Sequence, residues 1–259
     1  MSVYTTEITS DQIASDNPIH QRLLRAYYLA KPYIKGKLLE LGCGEGRGIE
    51  LLAPLADQYT AIDKIEPVID KLKVKYASHR FESGHFPPIP FPDNSFDTIV
   101  TFQVIEHIQD DELFVKEIQR ILRPGGTALI TTPNIKMTLT RNPWHIREYT
   151  AEELTSLCTR YFDDVEMKGV AGNDKVMEYY ERNKASVKKF TRFDVLDLQY
   201  RLPASLLRIP YDFLNRMNRN GLQKEVDELV SSIRHEDYPL REQDDTNLDL
   251  FVILKNSSS

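Results

Sequence analysis

The chain has 259 residues, 41% hydrophobic and 28% charged, with a formal net charge of -6. This is ordinary globular composition, enough for one large domain or a domain with an elaboration, and its acidic balance weighs against general nucleic-acid binding. No run reaches the roughly 18 apolar residues of a membrane span, MSVYTTEITSDQ lacks the apolar core of a secretory signal, and Cys43 and Cys158 form no disulfide framework, so a reducing cytoplasm is expected.

Pro18 to Ile34 predicts a helix with Ile19, Leu23, Leu24, Tyr27 and Tyr28 on one side. Lys37 to Leu41 is a short buried strand, Gly48 to Ala56 a helix, and Gln58 to Asp63 a second strand. Glu66 to Ser78 is helical, with Val68, Ile69, Leu72 and Tyr76 spaced at three and four. Ser95 to Phe102 is a strand, and Asp110 to Leu122 a helix with an acidic first turn, closed by "RPGG". Thr127 to Thr132, Asp164 to Val170 and Leu248 to Leu254 are strands. Alternating strands and helices imply a parallel sheet covered on both faces. The 77 residues between the last two strands exceed any ordinary loop. "VMEYYERNKASVKKF", "LDLQYRLPASLLRI" and "YDFLNRMNRN" have helical apolar spacing, interrupted by Pro203 and Pro210, which reads as an inserted helical cap.

"LLELGCGEGRG" sets Gly42, Gly44 and Gly46 between a strand and a helix, where the backbone can approach a ligand and the helix N-terminus favours polar or anionic groups. The dinucleotide pattern G-x-G-x-x-G fails, because Arg47 or Ile49 occupies the third glycine position. The actual pattern is E-x-G-x-G-x-G, starting at Glu40, and Asp63 ends the next strand, where a carboxylate can take both ribose hydroxyls.

With "AID", "IPFPDNSFD", "VIEH", "LRPGG" and "TTPN" following in order, residues 35 to 170 plus the last strand resemble the class I S-adenosylmethionine-dependent methyltransferases, of the type 11 and ubiquinone-pathway group. The resemblance implies an α/β, Rossmann-like seven-stranded sheet with helices on both faces and its last strand antiparallel. Residues 1–170 plus 248–259 would form the S-adenosylmethionine-binding core, and 171–247 the cap or substrate region. It implies that Glu40, Gly42, Gly44, Gly46, Asp63 and Lys64 bind the cofactor, with His85, Phe86, Phe102 and Gln103 beside it. Gly84-His85 stands where the family usually has Gly-Asp, so His85 either meets the adenine or is a surface residue.

Methyl transfer needs the acceptor in line behind the methyl carbon, and a hydroxyl acceptor needs a base or a metal. Gln103, Glu106 and His107 form Q-x-x-E-H, similar to the E-x-x-E-H of ubiquinone-pathway O-methyltransferases and small-RNA 2′-O-methyltransferases, whose acids and histidine hold a divalent cation. The RNA enzymes add H-x-x-E-x-T, and "HIREYT" supplies His145 and Glu148 here. Glu106, His107 and His145 are therefore the expected catalytic residues, either as a site for Mg2+ or another divalent cation or as metal-free acid/base groups. A structural role is the third reading. Gln103 replaces a carboxylate and weakens the metal case.

"TRNPWHIREYT" would form the rim between core and cap. Trp144 and Tyr149 offer flat faces, and Arg141 and Arg147 offer anion contacts. For Trp144, plugging the cap is the leading alternative. Basic residues outnumber acidic ones from Lys175 to Arg219, which suits an anionic acceptor but also a solvated helical face. The resulting expectation is an S-adenosylmethionine-dependent methyltransferase acting at oxygen on a small-molecule, sugar or glycan, or lipid-linked acceptor. An RNA 2′-O-methyltransferase and a non-catalytic binding subunit are the alternatives.

Overall fold

Short apolar runs alternating with helix-period segments bury best in a sheet covered on both faces. The computed structural model of the protein, which describes residues 13–192 and 198–257, has such a sheet. Its strands are β1 (Lys37–Leu41), β2 (Gln58–Asp63), β3 (Arg80–Ser83), β4 (Phe96–Phe102), β5 (Leu122–Pro133), β6 (Asp164–Val170), β7 (Leu240–Glu242) and β8 (Asp249–Lys255). They lie in the order β3-β2-β1-β4-β5-β8-β6-β7. The pairs from β3 to β5 are parallel, and β8 runs antiparallel between β5 and β6.

The expected seven strands are present, and β7 adds an eighth on the β6 edge. It falls inside the interval 171–247 read as purely helical. Three residues are too few to carry a strand period, which is why the sequence does not announce it.

Helices cover both faces: α1 (Asn17–Ala30), α2 (Ile49–Leu52), α3 (Glu66–Lys75), α4 (Asp111–Ile121) and α5 (Ala151–Cys158). Alternate residues of the strands point to opposite faces. Leu38, Val100, Leu129 and Phe251 join one cluster with Tyr27 of α1, while Leu39, Ile99, Ile130 and Val252 join another with Phe114 of α4. Fully burying each such side chain contributes about 1.5–3 kcal/mol. Cys43 and Cys158 are buried free thiols.

The end of α4 departs from expectation. Leu122 is already extended (φ -81, ψ 130), so "RPGG" lies inside β5 rather than capping the helix. There Gly125, at φ 74, donates its N–H to the Asn256 carbonyl at 2.8 Å, and the pairing register with β4 shifts.

The cap contains α6 (Asp174–Thr191), α7 (Leu198–Arg201), α8 (Ala204–Glu225) and α9 (Asp227–Ser232). Of the helical reading that began at Leu196, Leu196 and Asp197 lie outside the described residues. Pro210 does not interrupt α8. The carbonyl it deprives belongs to Leu206, an exposed residue, so water can satisfy it.

The cap is fastened to the N-terminal helix. Buried Asp16 meets Arg216 at 2.9 Å and Arg219 at 3.1 Å. Asn17 donates to the Val230 carbonyl at 2.7 Å, and the Tyr238 hydroxyl donates to the Pro18 carbonyl at 2.7 Å. Among the described residues no helix is long and apolar enough to cross a membrane.

Candidate active site

Beyond β1 the chain turns through Gly42, Gly44 and Gly46, at φ 79, 49 and 81, left-handed backbone that side-chain-bearing residues rarely adopt. A Cβ on Gly44 would meet nothing within 4 Å, so this glycine presents bare backbone to open space. Asp63, at the end of β2, accepts the Gly44 N–H on Oδ2 at 2.8 Å and the Ile65 N–H on Oδ1 at 3.0 Å. A carboxylate has about four acceptor positions, so two remain for a ligand.

These groups line a cavity of about 860 Å³, towards the upper end of the roughly 300–1,000 Å³ typical of ligand sites. Lys64, His85, Phe86, Phe102 and Gln103 line it as well. Glu40 does not. It is buried behind the loop, where it accepts hydrogen bonds from the Tyr27 hydroxyl at 2.8 Å and from the Tyr59 hydroxyl. Burial pushes its carboxyl up to about 7, against the opposing pull of the two hydroxyls. Gly48 makes this possible, since a Cβ there would lie 2.0 Å from the Tyr27 ring. Glu40 is thus placed to hold the loop rather than to touch a ligand.

The turn after β4 brings Val104, His107 and Ile108 to the same cavity. Glu106 beside them is buried and accepts the Thr132 hydroxyl at 3.0 Å. Burial raises its carboxyl to about 7, with His145 pulling the other way. His107 Nδ1 lies 2.9 Å from the Trp144 carbonyl. A carbonyl only accepts, so Nδ1 carries the proton and Nε2 is the basic nitrogen.

The 140–150 loop is braced over this turn. Ile146 and Arg147 donate backbone N–H groups to the Glu106 carbonyl at 2.8 and 3.3 Å, and Ile135 donates to the Tyr149 carbonyl at 3.1 Å. His145, expected to reach the acceptor itself, stands outside the cavity lining, its ring edge-on to His107 at 4.9 Å. Its Nδ1 lies 2.6 Å from Glu148 Oε1 and its Nε2 lies 2.8 Å from Asn142 Nδ2. Asn142 Oδ1 accepts the Trp144 N–H at 3.0 Å, which orients the amide and makes His145 Nε2 an acceptor.

Ligating atoms of Glu106, His107 and His145 do lie within 4.8 Å of one another. A cation would need a lone pair from each, and both His145 nitrogens are engaged. As arranged, the three residues do not fit a metal.

The four expected substrate residues are occupied as anchors. Trp144 Nε1 donates to Asp212 of α8 at 3.0 Å, and the Arg208 guanidinium lies 4.3 Å over its ring. Arg141 donates to the carbonyls of Gln199 and Leu202 at 2.9 and 3.3 Å. Tyr149 is 2% exposed, and its hydroxyl donates to Asp111 Oδ2 at 2.7 Å, the oxygen that Arg147 meets at 2.6 Å. Thr150, the end of "HIREYT", forms a capping box with Glu153 at the start of α5.

Sequence reasoning missed a cavity wall made by His20, Leu23, Leu24 and Tyr28 of α1. The apolar spacing of Leu23, Leu24 and Tyr28 is visible in the sequence, but nothing in it distinguishes facing a cavity from facing a core, and His20 carries no such signal.

A methyltransferase-domain family model matches residues 39–130. The chain is 35% identical over 191 residues to a probable S-adenosylmethionine-dependent methyltransferase of Mycolicibacterium smegmatis, covering 71% of this chain and 74% of the relative. It is 29% identical over 132 residues to a ubiquinone biosynthesis O-methyltransferase of a Caulobacter strain, covering 46% of this chain and 52% of that protein. Among solved structures, an S-adenosylmethionine-dependent methyltransferase of Thermotoga maritima, described as a possible histamine N-methyltransferase, superposes with a TM-score of 0.59 at 16% identity. That match covers 94% of this chain and 91% of the other, and it is evidence for the fold alone.

Proposed function

The chain belongs to the S-adenosylmethionine-dependent methyltransferases, and from that premise we propose that it methylates a hydroxyl of a small-molecule, sugar or lipid-linked acceptor, with His107 as the base. S-adenosylmethionine, when bound, supplies an electrophilic methyl group on a sulfonium. Gly42, Gly44 and Gly46 would carry its methionine part on bare backbone, and Asp63 would accept its ribose hydroxyls. His85 and Phe86 would lie against its adenine. His107 Nε2 would take the proton as the acceptor oxygen is alkylated, while Glu106 and the His145–Glu148 pair fix the turn that presents it.

One observation carries this reading: His107 shares a single cavity with the glycine loop and Asp63. The ubiquinone-pathway relative is consistent with transfer to oxygen. The RNA alternative is disfavoured by the net charge of -6. A cytoplasmic location is part of the proposal.

The test is methyl incorporation from labelled S-adenosylmethionine into extracted sugar and lipid-linked pools. Wild type should label a hydroxyl-bearing product, and His107→Ala should lower kcat by about 10²–10⁴ with cofactor affinity retained. Cofactor binding with no turnover on any pool would instead favour the binding-subunit alternative.

A further inference from the structure

Cap and sheet form a second cavity, of about 420 Å³, which shares no residue with the cofactor cavity. One wall is α6, where Tyr180, Glu181, Lys184, Val187 and Lys188 follow Met177 at helical offsets and make a single stripe. The facing wall is the turn after β5, residues 136–139, with Thr246 just ahead of β8. β5 ends and β8 begins at the edge of the sheet that carries the glycine loop, the edge at which open α/β sheets take ligands. The Tyr180 hydroxyl donates to the Met137 carbonyl at 3.1 Å and ties the two walls together.

The lining combines two chemistries. Met137, Leu139, Met177 and Val187 are half-buried and give it an apolar floor. Lys136, Lys184 and Lys188 set three cations against one carboxylate, Glu181, in a chain whose net charge is -6. Lys184 meets Glu181 at 3.4 Å and Lys136 meets Asp245 at 3.9 Å, but both acids are exposed, and exposed pairs hold weakly against a competing anion. Among the described residues no carboxylate pairs with Lys188. Apolar walls with a few charged groups that fix orientation are the usual make-up of a small-molecule site.

We propose that this cavity is a second binding site, which takes a small organic anion: a phosphate or carboxylate held by Lys136, Lys184 and Lys188, on an apolar body lying against Met137, Leu139, Met177 and Val187. The site also reaches the catalytic turn. Thr138 in its wall donates its hydroxyl to Glu148 Oε2, while Glu148 Oε1 holds His145 Nδ1 at 2.6 Å. His145 in turn lies edge-on to His107 at 4.9 Å. A ligand that shifts residues 136–139 therefore acts on the turn that presents His107. The anion has two possible sources, an acid group of the acceptor or a separate small molecule, and the same contacts serve both.

The test is calorimetric titration of the full chain, saturated with S-adenosylhomocysteine to fill the first cavity. The probes are hexyl phosphate, hexanol (apolar body alone) and inorganic phosphate (anion alone). Hexyl phosphate should bind about tenfold or more tighter than either control, and its binding should weaken with added salt. Lys184→Glu with Lys188→Glu should lower its affinity by about tenfold or more, and Lys184→Arg with Lys188→Arg should retain it. Melting temperature and affinity for S-adenosylhomocysteine should stay at wild-type values in both, which separates loss of this site from loss of fold. Equal binding of the three probes, or unchanged hexyl phosphate affinity in the Lys184→Glu, Lys188→Glu protein, overturns the proposal. Methyl transfer then assigns the source. A raised apparent KM, with labelled product retained on an anion exchanger, makes the anion part of the acceptor; a changed kcat at constant KM makes it a separate effector. Hexyl phosphate that binds yet alters neither overturns the link to the catalytic turn. The binding measurements need no acceptor, so failure to find turnover would count against the proposed function and not against this site.

Discussion

Replacing Asp63 by asparagine preserves shape and removes one acceptor atom, yet the consequences should spread. In the protein both carboxylate oxygens accept a backbone N–H, from Gly44 at 2.8 Å and from Ile65 at 3.0 Å. An asparagine has one oxygen, so its NH2 must face one of those two donors, and the N–H it faces loses its partner. A buried donor left unmet costs about 1–3 kcal/mol, and each lost hydrogen bond between a ribose hydroxyl and the charged group costs about 1.5–3 kcal/mol. With about 1.4 kcal/mol per tenfold change in affinity, Kd for S-adenosylhomocysteine should rise at least tenfold for Asp63→Asn and further for Asp63→Ala. Calorimetric titration reads this directly, and thermal melting shows whether the loop has loosened with it. If the folded Asp63→Asn protein binds within about twofold of wild type, the carboxylate does not hold the ribose and the cofactor site has been misread.

Other perturbations separate the parts of the site. Glu106 is raised to about 7 by burial, from about 4.5 when unfolded, so its stabilisation is complete below about pH 4.5 and disappears as pH rises through about 7. The span is on the order of 3 kcal/mol. Glu106→Gln should therefore melt above wild type at pH 8 and level with it near pH 4.5, and parallel melting profiles would contradict the burial argument. Exhaustive chelation should leave turnover unchanged, because His145 has both nitrogens engaged; rescue of a chelated enzyme by added manganese would refute that. Trp144→Phe keeps a ring under Arg208 and loses the bond to Asp212, so it should reduce stability by up to about 3 kcal/mol without changing acceptor KM. A raised KM at unchanged melting temperature would return Trp144 to the acceptor site.

The parts of the fold that announce themselves are those where side-chain period and chain direction agree. β1 and β2 are apolar runs ending in Leu41 and Asp63, and the glycines that follow β1 have one obvious use. The left-handed backbone at Gly42, Gly44 and Gly46 is what that spacing demands. β7 and the "RPGG" bulge were hidden because pairing partners elsewhere in the chain decide them, Lys168–Val170 for one and Asn256 for the other. The site divides in the same way. The residues of the cofactor end other than Glu40 sit at or just beyond strand ends and reach the cavity from there. In "TRNPWHIREYT" the residue types promised chemistry, but their partners, Asp111, Glu148, Asp212 and the Gln199 carbonyl, convert five of them into fastenings. A side chain's role there depends on what stands opposite it, and one sequence does not reveal that.

The position of β8 has a consequence for how the protein is made. It lies between β5 and β6, although the ribosome delivers it after both of them and after the whole cap. Until residues 249–255 emerge, the nascent chain carries β5 with an unpaired edge, and unpaired edges recruit neighbouring chains. The glycine loop and Asp63 exist long before that moment, but the Gln103 backbone N–H hangs from the Thr131 carbonyl on β5, whose other edge waits for Phe251. Translation speed over the cap therefore sets how long a newly synthesised molecule is exposed to aggregation, and chaperone demand should track the length of the 171–247 insertion more closely than the stability of the finished enzyme.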